Sequence, residues 1–411
     1  MQANTFTKTT KQSYLSRLGD SIKGIFIGIL LIIVAGVLLF WNEGRAVKRS
    51  KTLKQGSSEV VTVDSEKIDK SYEGKLVHLK GLATTREILT DQEFRVASSA
   101  LKLKRIVEMY QWLEESDSET ETKLGGSTET TTSYTYKTAW SENLNSSNEF
   151  EIPQGHENPP TMVYESEEFV ADLITVGAFS LSPSLVGKIN QYETLTIDEA
   201  TSTAKMKKID KPISYYQNLL YIGDDPSYPQ VGDLRISYEH IEPLDVSIVA
   251  KQNGSDLTEL VTKTGKLALL NIGDFSSEEM FEKAKQTNQI MTWVLRLLGV
   301  VLMTAGFSAI LAPFAVASDI IPVFGKVTRF TSKLISGAIS IPLSLIIIAL
   351  AWFAYRPFLS LGIIAVGIAG FFGIKSIADK KSKTVPAVKQ KPTQTVVQQT
   401  QTPVVPPNKT A

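Results

Sequence analysis

Three histidines are the residues best suited to acid–base or metal chemistry in this chain: His78, His156 and His240. No two of them stand at the spacing of a metal site, so the sequence predicts no metal bound through histidine. His156 lies in Gly155-His156-Glu157-Asn158-Pro159-Pro160, a string typical of an irregular loop. It is the candidate for a catalytic histidine, but no serine in a nucleophile-elbow context accompanies it.

Other chemical signals are weak. Cysteine is absent, which excludes disulfides, thiolate metal sites and a cysteine nucleophile. Neither a Walker-type nor a dinucleotide-binding glycine pattern is present. The acidic pairs Glu167-Glu168 and Glu278-Glu279 are typical of solvated faces. We therefore predict a protein that is not an enzyme, with no catalytic, metal-binding or cofactor-binding residue and no cofactor.

The charge balance and the distribution of apolar residues point to the membrane. The 411 residues include 43 basic and 43 acidic side chains, and this balance argues against a partner nucleic acid. The apolar residues are concentrated in four blocks. The first runs uncharged from Gly24 to Trp41, and as a helix it spans roughly 27 Å, close to the thickness of a bilayer core. It is long for a signal peptide and no cleavage site follows, so an uncleaved signal anchor is favoured.

Three further blocks follow near the end of the chain: Leu297 to Ala317, Leu334 to Tyr355, and Phe358 to Ile374. Only Arg356-Pro357 separates the last two, which predicts an antiparallel helical hairpin. No Asp, Glu or His lies inside a span, and this argues against a pump or coupled transporter. Small residues in the spans suit close helix packing: Ser308, Ser340, Ser344 and Ser360.

Together the blocks predict a membrane α-helical protein with four transmembrane helices (1 + 3) and a large β-rich α+β extramembrane domain between helices one and two. The distribution of Lys and Arg around the spans favours cytoplasmic termini. The predicted order is a cytoplasmic segment 1–23, transmembrane helix 24–41, a non-cytoplasmic domain 42–290, transmembrane helix 293–317, a cytoplasmic loop 318–333, transmembrane helices 334–355 and 358–374, and a disordered cytoplasmic tail 375–411.

The domain sequence indicates mostly strands. Alternating or β-branched runs are separated by turn residues, as in Asn253-Gly254-Ser255-Asp256, which predicts a turn between two strands. The almost wholly polar stretch Ser116 to Thr132 predicts a mobile surface loop. Ser276 and Glu279 form a capping box that starts a helix leading into the membrane. Two glycosylation sequons begin at Asn145 and Asn253.

Several strings of the chain resemble the LUMA family of four-span membrane proteins. The matching strings are Asn42-Glu43-Gly44-Arg45-Ala46, Glu73-Gly74-Lys75-Leu76-Val77-His78, Val107-Glu108-Met109-Tyr110-Gln111-Trp112, Gly155-His156-Glu157-Asn158-Pro159, Tyr228-Pro229-Gln230-Val231-Gly232-Asp233-Leu234-Arg235, Gly273-Asp274-Phe275-Ser276 and Tyr355-Arg356-Pro357. They occur in the family's order between residues of about 15 and 375, while the Gln/Thr/Pro-rich tail departs from its pattern.

The resemblance implies a non-enzymatic organiser of membrane protein complexes. In animals the family belongs to the endoplasmic reticulum and inner nuclear membrane and is associated with emerin and lamins. Relatives also occur in bacteria, where the protein would sit in the cytoplasmic membrane with a periplasmic or extracellular domain and without those partners. For the matched residues Tyr110, Trp112 and Arg235 we expect core or turn roles.

The leading hypothesis is therefore a scaffold that lies in the lipid bilayer, associates with itself as a homo-oligomer and collects other membrane proteins. Two alternatives stay open. A membrane-anchored hydrolase would need His156 and a carboxylate to converge in one cleft. A receptor would need an apolar pocket in the 42–290 domain and would signal through the helix of residues 276–317.

Overall fold

The computed structural model describes residues 4–197 and 211–357. Its helices are α1 (Tyr14–Glu59), α2 (Pro183–Val186), α3 (Ser277–Ser318) and α4 (Pro322–Tyr355), with 3₁₀ turns at Lys70–Tyr72 and Ser147–Glu149. Three of them, α1, α3 and α4, are long and apolar enough to cross a membrane. Three of the four predicted spans are thus confirmed. The predicted span 358–374 and the tail 375–411 lie outside the described residues.

Two of the membrane helices continue into the domain without a break. Helix α1 has 46 residues, so it extends well beyond the apolar block at both ends. Helix α3 begins at the predicted capping box, in which the Ser276 hydroxyl accepts from the Glu279 N–H and the Glu279 carboxylate accepts from the Ser276 N–H. This confirms the predicted helix that leads into the membrane.

The described residues 4–197 and 211–357 contain nineteen strands. In chain order they are β1 (Asn4–Gln12), β2 (Val61–Thr62), β3 (Leu76–Thr84), β4 (Leu89–Asp91), β5 (Val96–Ser98), β6 (Lys102–Thr122), β7 (Thr128–Ser141), β8 (Glu167–Val170), β9 (Thr175–Val176), β10 (Phe179–Leu181), β11 (Glu193–Thr194), β12 (Ile213–Tyr216), β13 (Leu219–Ile222), β14 (Leu234–Ile241), β15 (Leu244–Asn253), β16 (Asp256–Thr258), β17 (Leu260–Thr262), β18 (Gly265–Leu267) and β19 (Leu269–Ile272).

Two large sheets dominate the domain. The first has the order β1-β7-β6-β14-β13-β12, with β8 also paired to β6 and β11 to β14. The second has the order β19-β15-β16-β10-β9-β3-β2, with β15 also paired to β3. Apolar side chains of both sheets form one buried core, for example Leu79 and Ile248 from the second sheet and Val107 and Ile236 from the first. The predicted turn at Gly254 joins β15 to β16, with a positive φ of 62°.

A second cluster attaches the helices to this domain. Leu53 on α1 and Phe281 on α3 are buried with Leu267 on β18 and Leu269 on β19. A Cβ atom added to Gly56 of α1 would lie 2.2 Å from Leu267 Cδ2, so the helix approaches the strand as closely as its backbone allows. Removing such apolar surface from water stabilises the attachment by about 25 cal/mol per Å². The helices are therefore packed against the domain as well as covalently connected to it.

Inside the membrane bundle, small residues set the spacing of the helices. A Cβ atom on Gly28 of α1 would lie 2.6 Å from the carbonyl oxygen of Gly306 on α3. Ser340 and Ser344 of α4 are buried, and the Ser340 hydroxyl lies 2.6 Å from that of Thr304 on α3. This agrees with the packing role expected for Ser340 and Ser344, whereas Ser360 lies outside the described residues.

The expected mobile loop at 116–132 is wrong. Strands β6 and β7 form a hairpin paired from Met109↔Ser141 to Thr122↔Thr128, which leaves only 123–127 as the turn. The polar side chains stabilise it, because hydroxyls pair across the strands: Ser118 with Thr132 at 2.8 Å and Thr120 with Thr130 at 2.9 Å. Threonine is β-branched and favours strands, so polar composition here does not mean disorder.

The N-terminal strand adds to this hairpin. Strand β1 pairs antiparallel with β7 from Asn4↔Tyr136 to Gln12↔Thr128, and the Lys8 ammonium lies 2.6 Å from the Glu151 carboxylate. Residues 4–12 belong to the segment 1–23 that basic-residue counting assigns to the side opposite the domain. The count thus places residues 4–12 across the membrane from β7, with which they pair in the structure. The membrane side of each segment stays a prediction.

Candidate functional site at the membrane–domain joint

The three histidines occupy separate structural positions. The His78 ring is buried between β3 and the start of α3, with Nε2 3.0 Å from the Phe275 carbonyl oxygen and Nδ1 3.1 Å from the Thr62 hydroxyl. Because a carbonyl only accepts, Nε2 carries the proton and Nδ1 accepts from the hydroxyl. Burial lowers the pKa of His78, so its neutral form links the two elements. The Nδ1 atom of His240 lies 2.9 Å from the Ser98 hydroxyl oxygen.

His156 is enclosed by aromatic rings. Its ring stacks on Tyr136 with centroids 3.9 Å apart and meets Trp112 edge-on at 4.7 Å, and the residue is 6% exposed. Burial, with the hydrogen bond that the Tyr136 hydroxyl donates to Glu114, raises the pKa of Tyr136 to about 12. A general base must reach a substrate proton. The covered ring of His156 does not face an open cleft.

The acidic pairs and possible metal ligands form no reactive constellation within residues 4–197 and 211–357. Glu167 pairs with Arg105 at 3.1 Å, and Glu168 pairs with Lys102 at 3.5 Å. Glu279 is occupied by the capping box. The described residues contain no group of three or more His, Cys, Asp or Glu that could hold a metal ion.

A set of buried polar contacts lies where the membrane helices meet the domain, and it centres on Glu43. This carboxylate is 1% exposed, just beyond the apolar block of α1. Arg296 of α3 donates to it through Nε at 2.6 Å and Nη2 at 3.0 Å, and Trp352 of α4 donates through Nε1 at 2.7 Å. The Arg296 guanidinium also lies over the Trp293 ring, 4.7 Å from its centroid. One carboxylate thus joins three helices.

A network of hydrogen bonds continues from Glu43 toward the domain. The Asn42 amide donates to the Thr292 carbonyl oxygen at 3.0 Å. Arg45 donates to Asn288 Oδ1 and to Thr292 Oγ1, each at 3.1 Å. Between these residues, Gly44 leaves room for an aromatic ring: an added Cβ would lie 2.6 Å from Tyr355 Cζ. We call residues 42–45, 288–296 and 352–355 the membrane–domain joint.

A second carboxylate tie closes the far end of the bundle. Asp319, in the turn between α3 and α4, is fully buried. Arg17 of α1 donates to it at 2.5 Å, and Arg329 of α4 donates at 2.7 Å. Gly325 is required beside it, because an added Cβ would lie 1.6 Å from Asp319 Oδ1. Arg17 also donates to the Gly126 carbonyl oxygen in the β6–β7 turn.

Sequence reasoning did not identify Glu43 or Asp319 as sites. One signal was available. Asp319 is the only acidic residue between the apolar blocks 297–317 and 334–355. An acid so close to a span must find a cation or a strong donor, because leaving it buried alone is very costly. The identity of its partners depends on helix packing, which the sequence did not reveal.

Comparison with known proteins identifies the family. The family model described as Transmembrane protein 43 matches residues 109–357. Transmembrane protein 43 of Homo sapiens and that of Mus musculus are each 33% identical over 363 residues, covering 85% of this chain and 89% of the relative. The chain belongs to the Transmembrane protein 43 family. The Drosophila melanogaster homolog is 30% identical over 358 residues, covering 84% of this chain and 92% of that protein. No solved structure matches the chain.

Membership of the Transmembrane protein 43 family confirms the LUMA resemblance, and the structure explains the strings that carried it. Residues of one string contact residues of another where two elements of the structure meet. The string 42–46 meets 355–357 where Gly44 packs on Tyr355. The string 73–78 meets 273–276 through the bond between His78 and the Phe275 carbonyl.

The remaining three strings form one further joint at the base of the β6–β7 hairpin. Asn158 Oδ1 accepts from the Trp112 N–H at 2.7 Å, and the Gly232 N–H donates to the Tyr110 carbonyl oxygen at 2.8 Å. Arg235 binds Glu108 with two bonds, at 2.6 and 2.8 Å. Tyr110 and Trp112 lie on β6 and Arg235 lies on β14, and all three are half-buried, so they are neither core nor turn residues as expected.

Proposed function

We propose that this Transmembrane protein 43 family member is a non-enzymatic four-span scaffold that organises membrane protein complexes, with residues 358–374 as the fourth span. The observation that carries the proposal is that buried polar side chains connect elements of the protein to one another. Glu43 and Asp319 each accept from side chains of neighbouring helices, and His78 and His156 are covered by protein. Groups that an enzyme would aim at a substrate here hold elements together.

A scaffold needs a fixed relation between its membrane part and its extramembrane surface. Helices α1 and α3 supply it, since both run from the bilayer into the domain and pack there through Leu53 and Phe281. A partner bound in the membrane and a partner bound to the domain would then be held at a set distance. This supports a role in collecting partners, and self-association into a homo-oligomer is part of the proposal.

The host decides the compartment and the partner class. In a nucleated cell we propose the endoplasmic reticulum and inner nuclear membrane, with emerin- and lamin-type partners. In a bacterium we propose the cytoplasmic membrane, with residues 42–290 on the periplasmic or extracellular side and with other membrane proteins as partners. The lipid bilayer is the shared partner in both cases.

The two alternative functions have less support. A hydrolase centred on His156 needs an open approach to the ring, whereas Tyr136 and Trp112 cover it. A receptor needs an apolar pocket in the domain. The cavities beside the joint are instead bordered by Arg45, Arg49 and other cations.

Mild crosslinking of the full chain in native membranes, followed by purification and mass spectrometry, tests the scaffold. We expect a reproducible partner set in near-equal amounts. Gly44→Val should reduce that set, because the new side chain displaces Tyr355 from the joint. Gly24→Val is the matched control, since an added Cβ at Gly24 meets nothing within 4 Å.

Recovery of the protein alone, as monomer or homo-oligomer, would argue against the scaffold. Turnover of a substrate by the purified chain would also reject it if His156→Ala abolished turnover while the variant stayed folded. Equal losses of partners in Gly44→Val and Gly24→Val would show that the joint has no part in assembly.

A further inference from the structure

A cavity of about 390 Å³ lies at the membrane–domain joint, between α1, α3 and the edge strand β19. Its border includes Arg45 and Arg49 on α1, Lys283, Asn288 and Met291 on α3, and Lys188 after α2. We call it the joint cavity. It is large enough for a phosphate-bearing headgroup, and it opens at the surface between two helices that continue into the membrane.

The joint cavity carries four positive charges and no acidic side chain on its border. Within the described part of the chain, none of the four cations has a carboxylate within ion-pair distance. Arg49 donates to the Lys266 carbonyl oxygen at 3.1 Å, Arg45 is bound by amides and a hydroxyl, and Lys283 lies over the Phe275 ring. Their partners are therefore neutral.

Two of these cations are also partly withdrawn from water. Burial lowers the pKa of Arg45, and burial together with neighbouring Arg45 lowers the pKa of Arg49. A guanidinium stays charged under such conditions, so its desolvation must be offset by an anion or by dipoles. Glu43 is close in sequence, but its oxygens face Arg296 and Trp352. The positive charges of the joint cavity are thus not balanced by an acidic side chain on its border.

The depth of the cavity distinguishes a lipid from a soluble anion. Trp41 and Trp293 are exposed at the domain ends of their spans, where tryptophan marks the level of the headgroups. Arg45 lies one helical turn beyond Trp41, about 6 Å along the axis. On the membrane side of the cavity Met291 is exposed, and Val294 and Leu298 continue the exposed apolar face of α3 past Trp293 into the span. Cations at headgroup level above an apolar rim match the two parts of a lipid.

We propose that the joint cavity binds the phosphate headgroup of an anionic phospholipid, with its acyl chains lying against the exposed apolar face of α3 that runs from Met291 to Leu298. Arg45, Arg49, Lys188 and Lys283 supply the positive charge, and Asn288 adds amide hydrogen-bonding capacity. The site is independent of the scaffold role, because it requires only the described joint and a bilayer.

A titration of the full chain with short-chain lipids tests the site. The protein is held in neutral detergent and titrated with dihexanoyl phosphatidylglycerol, with binding followed by tryptophan fluorescence. Arg49→Gln combined with Lys283→Gln removes two cavity charges and should weaken binding about 10-fold or more, because each cation near a lipid surface contributes about 1 kcal/mol. Lys51→Gln combined with Lys285→Gln removes the same charge from the same helices outside the cavity, and should weaken binding less than about 2-fold.

Two further ligands and one further variant complete the test. Dihexanoyl phosphatidylcholine, which is zwitterionic, should bind more weakly than the anionic lipid, and glycerol phosphate should bind more weakly because it lacks acyl chains. Lys188→Gln alters an exposed side chain and should weaken lipid binding without changing the melting temperature. Equal weakening by both double variants would reject the site, and so would equal binding of the two lipids. Binding of glycerol phosphate as tight as that of the lipid would replace the lipid with a soluble phosphate ligand.

Discussion

Each end of the membrane bundle holds one buried carboxylate, but the two carboxylates have different partners. At the domain end, Glu43 is held by one guanidinium and one indole N–H. At the far end, Asp319 is held by two guanidiniums, from Arg17 and Arg329. The domain end then has surplus cations in Arg45 and Arg49, whereas the far end concentrates its cations on one acid.

The difference follows from what else stabilises each end. Near the domain, the helices are also joined by the apolar cluster of Leu53 and Phe281. The turn that carries Asp319 is held additionally by a backbone bond from the Gly125 N–H to the Ile320 carbonyl, at 3.0 Å. A buried ion pair is costly to break on one side, because the remaining charge is left unpaired. We infer that the far end depends more heavily on its single carboxylate.

Asp319→Ala should have the largest effect. It leaves two guanidiniums without their shared acid, so we expect a loss of roughly 5 kcal/mol in the free energy of unfolding. Chemical unfolding of the full chain in lipid nanodiscs measures it. Asp20→Ala is the control, since Asp20 forms an exposed pair with Lys23 and should cost about 1 kcal/mol at most. Similar losses in both variants would contradict the tie.

Glu43→Gln should have a smaller effect at the other end. A neutral amide oxygen still accepts from Trp352 or Arg296, so about 2 kcal/mol should be lost instead of the full cost of an unpaired charge. The same unfolding measurement applies. A loss that exceeds that of Asp319→Ala would reverse the proposed ranking of the two ends.

Gly28→Ala tests the packing between the ends. Its new methyl group would press on the Gly306 backbone, so we expect a loss of about 1–3 kcal/mol and a shift of α1 from α3. Gly24→Ala, on the same helix with open space around it, should be neutral. If the two substitutions behaved alike, close contact at Gly28 would not be stabilising.

His78 should give the domain end a modest dependence on pH. Its folded pKa is lowered from 6.5, so the unfolded chain binds the proton more readily. Its contribution is therefore complete above the unfolded pKa and is lost as pH falls toward the folded pKa. The melting temperature should fall as the pH is lowered from about 7 to 5.5, and it should fall less steeply in His78→Gln. An unchanged slope in the variant would assign the dependence to other groups.

The last prediction involves no loss of stability. Since the chain has no cysteine, Thr10→Cys with Thr130→Cys introduces a single pair at facing positions of β1 and β7. Facing residues lie within disulfide range, so oxidation in native membranes should join them. Thr10→Cys with Thr120→Cys spans one strand more, about 10 Å, and should stay reduced. Failure of the first pair would favour opposite membrane sides for the two segments.

The sequence predicts features that depend on local patterns. Uncharged blocks identify the spans of α1, α3 and α4, Ser276 with Glu279 identifies the start of α3, and Asn253-Gly254 identifies a turn. Features that depend on distant partners escape it. The polar β6–β7 hairpin is ordered by hydroxyl pairs across strands, and Asp319 meets Arg17 from 302 residues away. Pairing of this kind is not visible in composition or periodicity.

The strand β1 has a consequence for the order of synthesis. It leaves the ribosome more than a hundred residues before its partner β7, as the register Thr10↔Thr130 shows. Helix α1 is therefore threaded into the bilayer while the strand before it has no neighbour. Non-local strand pairing is slow because distant segments must first be brought together. An unpaired strand edge is also open to wrong partners. Newly made chains should thus pass through a period in which strand β1 is exposed to misassembly.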